Sequence, residues 1–354
     1  MPSVIVNGAR LNYVQLNEGN ANDREDLVMV HGLAANMAFW YFKYACELAK
    51  EFRVTVFDLR GHGRSEMTPA GYAPANLARD LAALMDALNI GKAHIVAHSF
   101  GGVIAMNFAL RHPDRIRSLV LADTHIAAAR HVKDSREWTY GQTIQAIMDR
   151  HGFELDARDP YFGYKLLTRA AQLQLDGEAV PPELMDLVNP LTNNAVGRTA
   201  AQWLRLMQFT SAEIEMMGDD GLSLEALRTF TFPIIAMYGD RSPARLTGTE
   251  LLDVWPHAEF RNVRNAGHFF PASRADEVVS ACRRFWQGDL AHTRRRHRSG
   301  EPQRGYFRSD RIFKDSQGWY FTTRELPPVG PFAEFEEASA TLNDAVLNNF
   351  IVPT

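Results

Sequence analysis

The sequence predicts an α/β protein built on a mostly parallel sheet with helices on both faces. Short apolar runs typical of buried strands alternate with helical patterns through the first 124 residues. This alternation is typical of parallel sheets whose strands are joined by right-handed crossovers. One of these runs is followed at once by a serine in a glycine-rich turn and then by a helical pattern. Ligands bind at the carboxyl ends of strands in such folds, so this serine lies where a functional site is expected.

The predicted strands begin near the N-terminus. Residues 3–16 have β-branched runs on either side of Asn7-Gly8, which is a hairpin signal. Four later runs are continuously apolar, as expected of strands that are buried on both faces. They are LVMV at 27–30, RVTVFD at 53–58, AHIVAH at 93–98 and RSLVLAD at 117–123. Residues 76–89 carry leucines and a methionine at helical spacing, which predicts an amphipathic helix between the second and third of these strands.

The pattern changes at residue 125. From there to residue 230 it is helical only, and it is rich in methionine and aromatic residues. Strand signals return at 232–240 and 259–269, and a helix is predicted at 275–287. A helical insertion within an α/β unit is best explained as a cap over the carboxyl edge of the sheet.

These patterns predict a chain of four parts. They are an α/β core of residues 1–124 and 231–290, a helical cap of 125–230, an Arg-rich linker of 291–304 and a small ββα domain of 305–354. The linker lacks apolar periodicity, as exposed segments do. A core of roughly fifty residues is marginal by itself, so we expect the last part to dock on the main domain. We expect its aromatic residues to form a packed core, and the alternative is a patch that binds a protein partner.

The composition limits the classes of function. Of the 354 residues, 46% are hydrophobic and 23% are charged, and the formal net charge is −4. This charge provides no general attraction to nucleic acid or to an anionic membrane, so we expect neither as a partner. No apolar run approaches the ~20 residues that a membrane span needs. The N-terminus lacks the features of a signal peptide, and two cysteines are too few for a disulfide framework, so we expect a cytoplasmic protein.

Ser99 is the predicted nucleophile. It lies in the segment Ala97-His98-Ser99-Phe100-Gly101-Gly102, directly after the strand at 93–98 and directly before a helical run. A serine on such a sharp turn presents its hydroxyl above the sheet, at the positive end of the helix. Small residues are needed two positions before and after Ser99, because larger side chains would collide across the turn. The alternative explanation is a glycine-rich turn without chemistry.

His268 is the predicted general base. A free serine hydroxyl is a poor nucleophile and needs a base to take its proton. Of the twelve histidines, His268 alone lies on a loop after a late strand and follows a glycine. The backbone N–H groups of Phe100, after the nucleophile, and Leu33, after the strand at 27–30, are predicted to form the oxyanion hole.

These residues, in this order, resemble the α/β-hydrolase family over residues 1–290. The resemblance includes the His31-Gly32 loop, the segment 58–65 after the second parallel strand, the Ser99 turn and the final Gly-His pair. It implies a serine esterase or thioesterase that needs no cofactor and no metal. It also implies that the segment 58–65 is a structural loop beside the site.

The resemblance leaves the acid of the catalytic triad open. Similar enzymes often carry it after the penultimate strand as G-x-x-D, but here Ser242 occupies the position of the acid. Other members place the acid after the strand that follows the nucleophile helix, where this chain has Asp123. We favour Asp123 and keep Asp240, two residues before Ser242, as the alternative. The non-catalytic explanations are a helix N-cap for Asp123 and a turn residue for Asp240.

The expected function is hydrolysis of an ester or thioester of a small apolar acyl substrate through an acyl-enzyme on Ser99. The methionine- and aromatic-rich cap favours an apolar substrate, because such side chains commonly line adaptable pockets. One alternative is hydrolysis of a carbon–carbon bond in a β-diketone-like substrate, which would use the same groups. Another is a catalytically silent hydrolase fold that serves as a ligand receptor. Dehalogenase or epoxide chemistry is disfavoured because it needs a carboxylate at position 99.

Overall fold

A nine-stranded sheet forms the centre of the protein. The computed structural model describes residues 2–17, 24–129, 139–159, 161–185, 187–188, 197–287, 307–308, 312–315, 317–321, 329–338 and 340–341. The strands of the large sheet are β1 (Ser3–Val6), β2 (Ala9–Leu16), β3 (Asp26–Val30), β4 (Arg53–Phe57), β5 (Ala93–His98), β6 (Ile116–Ala122), β7 (Ile234–Gly239), β8 (Glu259–Val263) and β9 (Phe307–Arg308). Their spatial order is β1-β2-β4-β3-β5-β6-β7-β8-β9.

The sheet is parallel from β4 to β9, and β1 and β2 are antiparallel additions at one edge. The first two strands form the predicted hairpin, with positive φ angles of 45° at Asn7 and 73° at Gly8. Two successive residues with positive φ match a tight turn that continues the twist of the strands. Every residue of β5 is buried, as its continuous apolar run predicts, and every residue of β7 is buried too. The mostly parallel α/β fold expected from the sequence is therefore confirmed.

Helices cover both faces of the sheet. In chain order they are α1 (Ala38–Trp40), a π-helical turn (Tyr41–Ala45), α2 (Cys46–Leu48), α3 (Pro74–Ala87), α4 (Phe100–Arg111), α5 (Thr139–Arg150), α6 (Phe162–Leu175), α7 (Arg198–Phe209), α8 (Ala212–Met216), α9 (Leu224–Leu227), α10 (Arg245–Val254), α11 (Phe270–Ser273) and α12 (Ala275–Trp286). Helix α3 buries the leucine face that the sequence predicts. Helix α4 begins directly after Ser99 and is buried over ten consecutive residues.

Polar contacts join the helical segment between β6 and β7 to the sheet. The carboxylate of Glu215 accepts hydrogen bonds from three successive backbone N–H groups, at residues 71–73. The side chain of Asn107 on α4 donates to the carbonyl oxygen of Asp220 at 2.7 Å. The buried methionines of this segment, Met148, Met207 and Met216, pack in the same hydrophobic cluster as the core. The division of the chain into a separate cap of residues 125–230 stays a prediction.

The C-terminal residues contact the main sheet and one of its helices. Strand β9 extends the large sheet in parallel with β8. A second, antiparallel sheet contains β10 (Ile312–Asp315), β11 (Gly318–Phe321) and β12 (Val329–Phe332). The sequence predicts two strands in this part of the chain, from RIFK at 311–314 and GWYFTT at 318–323, which correspond to β10 and β11; it misses β9 and β12. The Arg-rich segment 291–304 lies outside the described residues.

Arg245 of α10 ties this small sheet to the main domain. Its guanidinium lies 3.0 Å from Glu336 and 5.1 Å from the centre of the Phe335 ring. Trp319 and Phe321 are buried in the same cluster as the core of the large sheet. Across the described ranges, none of the helices has both the length and the apolar composition to cross a membrane.

Candidate active site

Ser99 lies on a strained turn between β5 and α4. Its φ and ψ angles are 55° and −126°, a conformation that a non-glycine residue adopts only when the surrounding structure enforces it. Gly101 explains the close packing of the turn, because a Cβ there would lie 2.5 Å from the carbonyl oxygen of Val30. A Cβ on Gly102 would lie 1.9 Å from the hydroxyl of Thr124. The two glycines therefore let the helix begin directly against the neighbouring strands and hold the serine at the sheet edge.

Ser99, His268 and Asp123 form one hydrogen-bonded chain. The Ser99 Oγ lies 2.9 Å from His268 Nε2, and His268 Nδ1 lies 2.6 Å from Asp123 Oδ2. Because the buried carboxylate can only accept, Nδ1 of a neutral His268 carries the proton and Nε2 is free to accept the serine proton. The Asp123 side chain is fully buried, whereas the His268 side chain retains 21% exposure. The structure thus brings together three side chains that are far apart in the chain.

The two candidate aspartates have different partners. Asp123 accepts from His268, from the Gly239 N–H at 2.8 Å and from the Ser242 hydroxyl. Asp240 accepts instead from the backbone N–H groups of Asn265 and Ala266, at 2.9 and 3.1 Å. Asp240 therefore holds the turn that precedes His268, and it is Asp123 that contacts the imidazole.

The backbone around Leu33 lies beside the serine. A Cβ on Gly32 would lie 2.9 Å from the Cβ of Ser99, so the peptide between Gly32 and Leu33 is adjacent to the hydroxyl. The N–H of Phe100 belongs to the first residue of α4. Within the described part of the chain, neither the Leu33 N–H nor the Phe100 N–H has an acceptor. Both are therefore available to a bound oxygen.

His98 is a further site residue that the sequence reasoning missed. Its ring is fully buried, its Nε2–H donates to the carbonyl oxygen of His268 at 3.0 Å, and it stacks on Phe39. Burial lowers the pKa of His98 well below its ordinary value, and the nearby His268 lowers it further. The neutral ring thus fixes the backbone of the residue that contacts Ser99. Its position directly before the serine was the available signal.

His31 orders the loop that carries Leu33. Its Nδ1–H donates to the Gly32 carbonyl oxygen at 2.7 Å, and its Nε2 accepts from the Leu59 N–H at 3.0 Å. Burial lowers its pKa to about 4, so the ring is neutral at pH 7. Both ring nitrogens are used within the protein, as expected of a structural histidine.

Asp58 lies in a structural network beside the site. Its carboxylate accepts from the Asn12 side chain and from the backbone N–H groups of Met37 and Arg64, each at 2.8 Å. These bonds hold together the hairpin, the α1 loop and the segment 58–65. Among the described residues, no group of three or more His, Cys, Asp or Glu side chains could hold a metal ion.

The comparison with known families agrees with this architecture. The family model for the alpha/beta hydrolase fold matches residues 27–157, which contain Ser99 and Asp123. The chain has the α/β-hydrolase fold. A second family model, a domain of unknown function (DUF6316), matches residues 297–346.

Curated relatives match only part of the chain. It is 41% identical over 110 residues to RutD of Pantoea ananatis, a protein named for carbamate hydrolysis, and the match covers 31% of this chain and 39% of that protein. It is 40% identical over 95 residues to a dihydrolipoyllysine-residue acetyltransferase component of an acetoin cleaving system of Pseudomonas putida, covering 27% and 25% of the two chains. The chain therefore matches less than half the length of these relatives.

Solved structures align with a larger share of the chain. The enol-lactonase from Burkholderia xenovorans LB400 is 23% identical with a TM-score of 0.55, covering 81% of this chain and all of that one. Est816, described as an N-acyl homoserine lactone degrading enzyme, is 23% identical with a TM-score of 0.56, covering 80% and 99%. At this level of identity the likeness shows the fold.

Proposed function

We propose that this protein is a serine hydrolase that cleaves an ester or thioester of an apolar substrate through an acyl-enzyme on Ser99. The observation that carries the proposal is the hydrogen-bonded chain from Ser99 Oγ through His268 to Asp123, with distances of 2.9 and 2.6 Å. A serine hydroxyl, an imidazole in the accepting tautomer and a buried carboxylate are the groups that acyl transfer requires.

The proposed mechanism follows from the hydrogen bonds. Ser99 Oγ attacks the substrate carbonyl carbon while His268 Nε2 takes its proton, and the Asp123 carboxylate stabilises the resulting imidazolium. The Leu33 and Phe100 N–H groups donate to the oxyanion of the tetrahedral intermediate. The imidazolium then protonates the leaving group, which departs and leaves an ester on Ser99. Water attacks this ester with His268 again as base, and the carboxylic acid leaves.

The apolar preference is supported by the side chains that flank the serine. Leu33 and Phe100 are both buried, and the Tyr164 ring of α6 packs edge-on against Phe100 at 6.3 Å. The helical segment thus reaches the nucleophile turn with aromatic and aliphatic surface. Such surface favours an apolar acyl group, because burial of that group removes it from water.

Carbamate hydrolysis is a second candidate. The observation that favours it is the 41% identity over 110 residues to a relative named for that reaction. The same serine would attack a carbamate carbonyl, and the amine or alcohol would leave. A panel of p-nitrophenyl esters of graded chain length, acyl thioesters and aryl carbamates separates the two candidates by their kcat/KM values.

Labelling with a fluorophosphonate probe tests the proposal directly. We expect the probe on the Ser99 peptide in mass spectrometry, and we expect Ser99→Ala to lose labelling and nearly all turnover with an unchanged melting temperature. The exposed Ser280 on α12 provides the matched control, since Ser280→Ala removes a hydroxyl far from His268. An unlabelled wild-type protein would favour the ligand receptor. Turnover by Ser99→Ala above a few per cent would refute the nucleophile.

A further inference from the structure

We infer that Ser242 is a positioning residue whose hydroxyl fixes the Asp123 carboxylate in the orientation that binds His268. The inference rests on the proposed function of Ser99, His268 and Asp123. Ser242 follows β7 and is 4% exposed. It occupies the position where similar enzymes carry the acid itself, so the side chain at this position is expected to reach the same part of the site.

The hydrogen bonds of Ser242 leave one use for its hydroxyl proton. The backbone N–H donates to the Gly239 carbonyl oxygen at 3.1 Å, and Oγ accepts from the Ala244 N–H at 3.2 Å. A serine hydroxyl has a single proton to donate. That proton is directed to Asp123 Oδ2, the acceptor that Ser242 Oγ contacts.

The Asp123 carboxylate is therefore held from three directions. Oδ1 accepts from the Gly239 N–H at 2.8 Å, and Oδ2 accepts from both Ser242 and His268. The Gly239 donor ends β7 and the Ser242 donor lies three residues later, so together they fix the rotation of the carboxylate about its Cβ–Cγ bond. Without the Ser242 hydroxyl, one of these constraints is lost, and the buried oxygen has one donor fewer.

The geometry also places position 242 within reach of His268. Ser242 Oγ and His268 Nδ1 contact the same oxygen of Asp123, so they lie within about two hydrogen-bond lengths of each other. An aspartate at position 242 extends further than serine. It should be able to accept from His268 Nδ1 if the Asp123 side chain is removed. Glycine is suited to position 123, because the φ angle there is 52°.

The first experiment measures kcat, KM and the pH profile of Ser242→Ala and Ser242→Thr on a p-nitrophenyl ester. We expect Ser242→Ala to lower kcat roughly 10- to 100-fold with little change in KM, as for loss of a hydrogen bond to a charged group. The acid limb of its kcat/KM profile should move to higher pH. Without the Ser242 hydroxyl, the negative charge on Asp123 Oδ2 is less compensated and stabilises the imidazolium more strongly. Ser242→Thr, which restores a hydroxyl, should recover most of the activity, and Ser280→Ala should match wild type.

The second experiment moves the carboxylate. Asp123→Gly should lose about 10³–10⁴ in kcat, as loss of a triad acid does, and the double variant Asp123→Gly with Ser242→Asp should recover at least roughly tenfold. This comparison also decides the matter if Ser242→Ala does not fold. Wild-type kcat and pH profile in a folded Ser242→Ala would overturn the inference, as would a folded double variant without recovery. If either result overturns the inference while Asp123→Asn and Ser99→Ala are inactive, the proposed function still stands. Activity in Ser99→Ala would refute the proposed function itself.

Discussion

Replacement of Asp123 by Asn should favour the wrong tautomer of His268. The carboxylate accepts from the Gly239 N–H, the Ser242 hydroxyl and His268 Nδ1. In the variant, the amide oxygen can still accept from Gly239 while the NH₂ group donates to Ser242 Oγ and to His268 Nδ1. This arrangement moves the imidazole proton to Nε2. His268 Nε2 would then donate to Ser99 and could not take its proton.

The expected loss follows from this change of tautomer. We expect kcat to fall about 10³- to 10⁴-fold, as in other triads in which the acid becomes an amide. This corresponds to about 4–5.5 kcal/mol of activation free energy, since each tenfold change in rate is about 1.4 kcal/mol. KM should change little, because Asp123 is fully buried and does not touch the substrate. The positive φ angle of 52° at this position is tolerated by Asn, so the fold should be kept.

The assay compares kcat for hydrolysis of a p-nitrophenyl ester in wild type, Asp123→Asn and Asp240→Asn, with melting temperatures as the folding control. Asp240 provides the matched control, because its carboxylate accepts from the backbone N–H groups of Asn265 and Ala266 and, among the described residues, has no bond to His268. Asp240→Asn should lose less than roughly tenfold, since the amide keeps one acceptor for that turn. A crippled Asp240→Asn beside a nearly normal Asp123→Asn would refute the assignment of the acid.

Two further predictions concern stability. Gly101→Ala should lower the melting temperature by at least ~5 °C, because its Cβ would lie 2.5 and 2.6 Å from the carbonyl oxygens of Val30 and His31. Gly163→Ala on α6 should leave the melting temperature unchanged or raise it, because no neighbouring atom lies within 4 Å of the added Cβ. Equal melting temperatures for the two variants would contradict the packing argument. Burial lowers the pKa of His31 and His62 to about 4. The unfolded chain therefore binds more protons as the pH falls from about 6.5 to 4. The free energy of unfolding should decrease by up to ~1.4 kcal/mol per pH unit for each ring, and urea titrations should show a shallower decrease in His62→Gln.

Local patterns predicted much of the fold. The Asn7-Gly8 pair predicts its hairpin because the turn needs two residues that accept positive φ. The continuous apolar runs predict β3 to β6 because strands buried on both faces have no polar side. The strands β9 and β12 were missed, since their short segments carry little pattern of their own and form by pairing with β8 and β11. Pairing between distant segments leaves no local signal.

The sequence by itself determined where the Ser99 turn lies and that His268 follows a late strand. These features are local, because a strand, a glycine-rich turn and a helix are recognisable within a dozen residues. Only the tertiary structure shows which of the two aspartates contacts His268. Asp123 and Asp240 each follow the end of a strand, so the sequence favoured Asp123 and kept Asp240 as the alternative. The Asp240 carboxylate accepts from two backbone N–H groups of the turn before His268. Asp123 follows β6 and contacts the imidazole, although 145 positions separate the two residues in the chain.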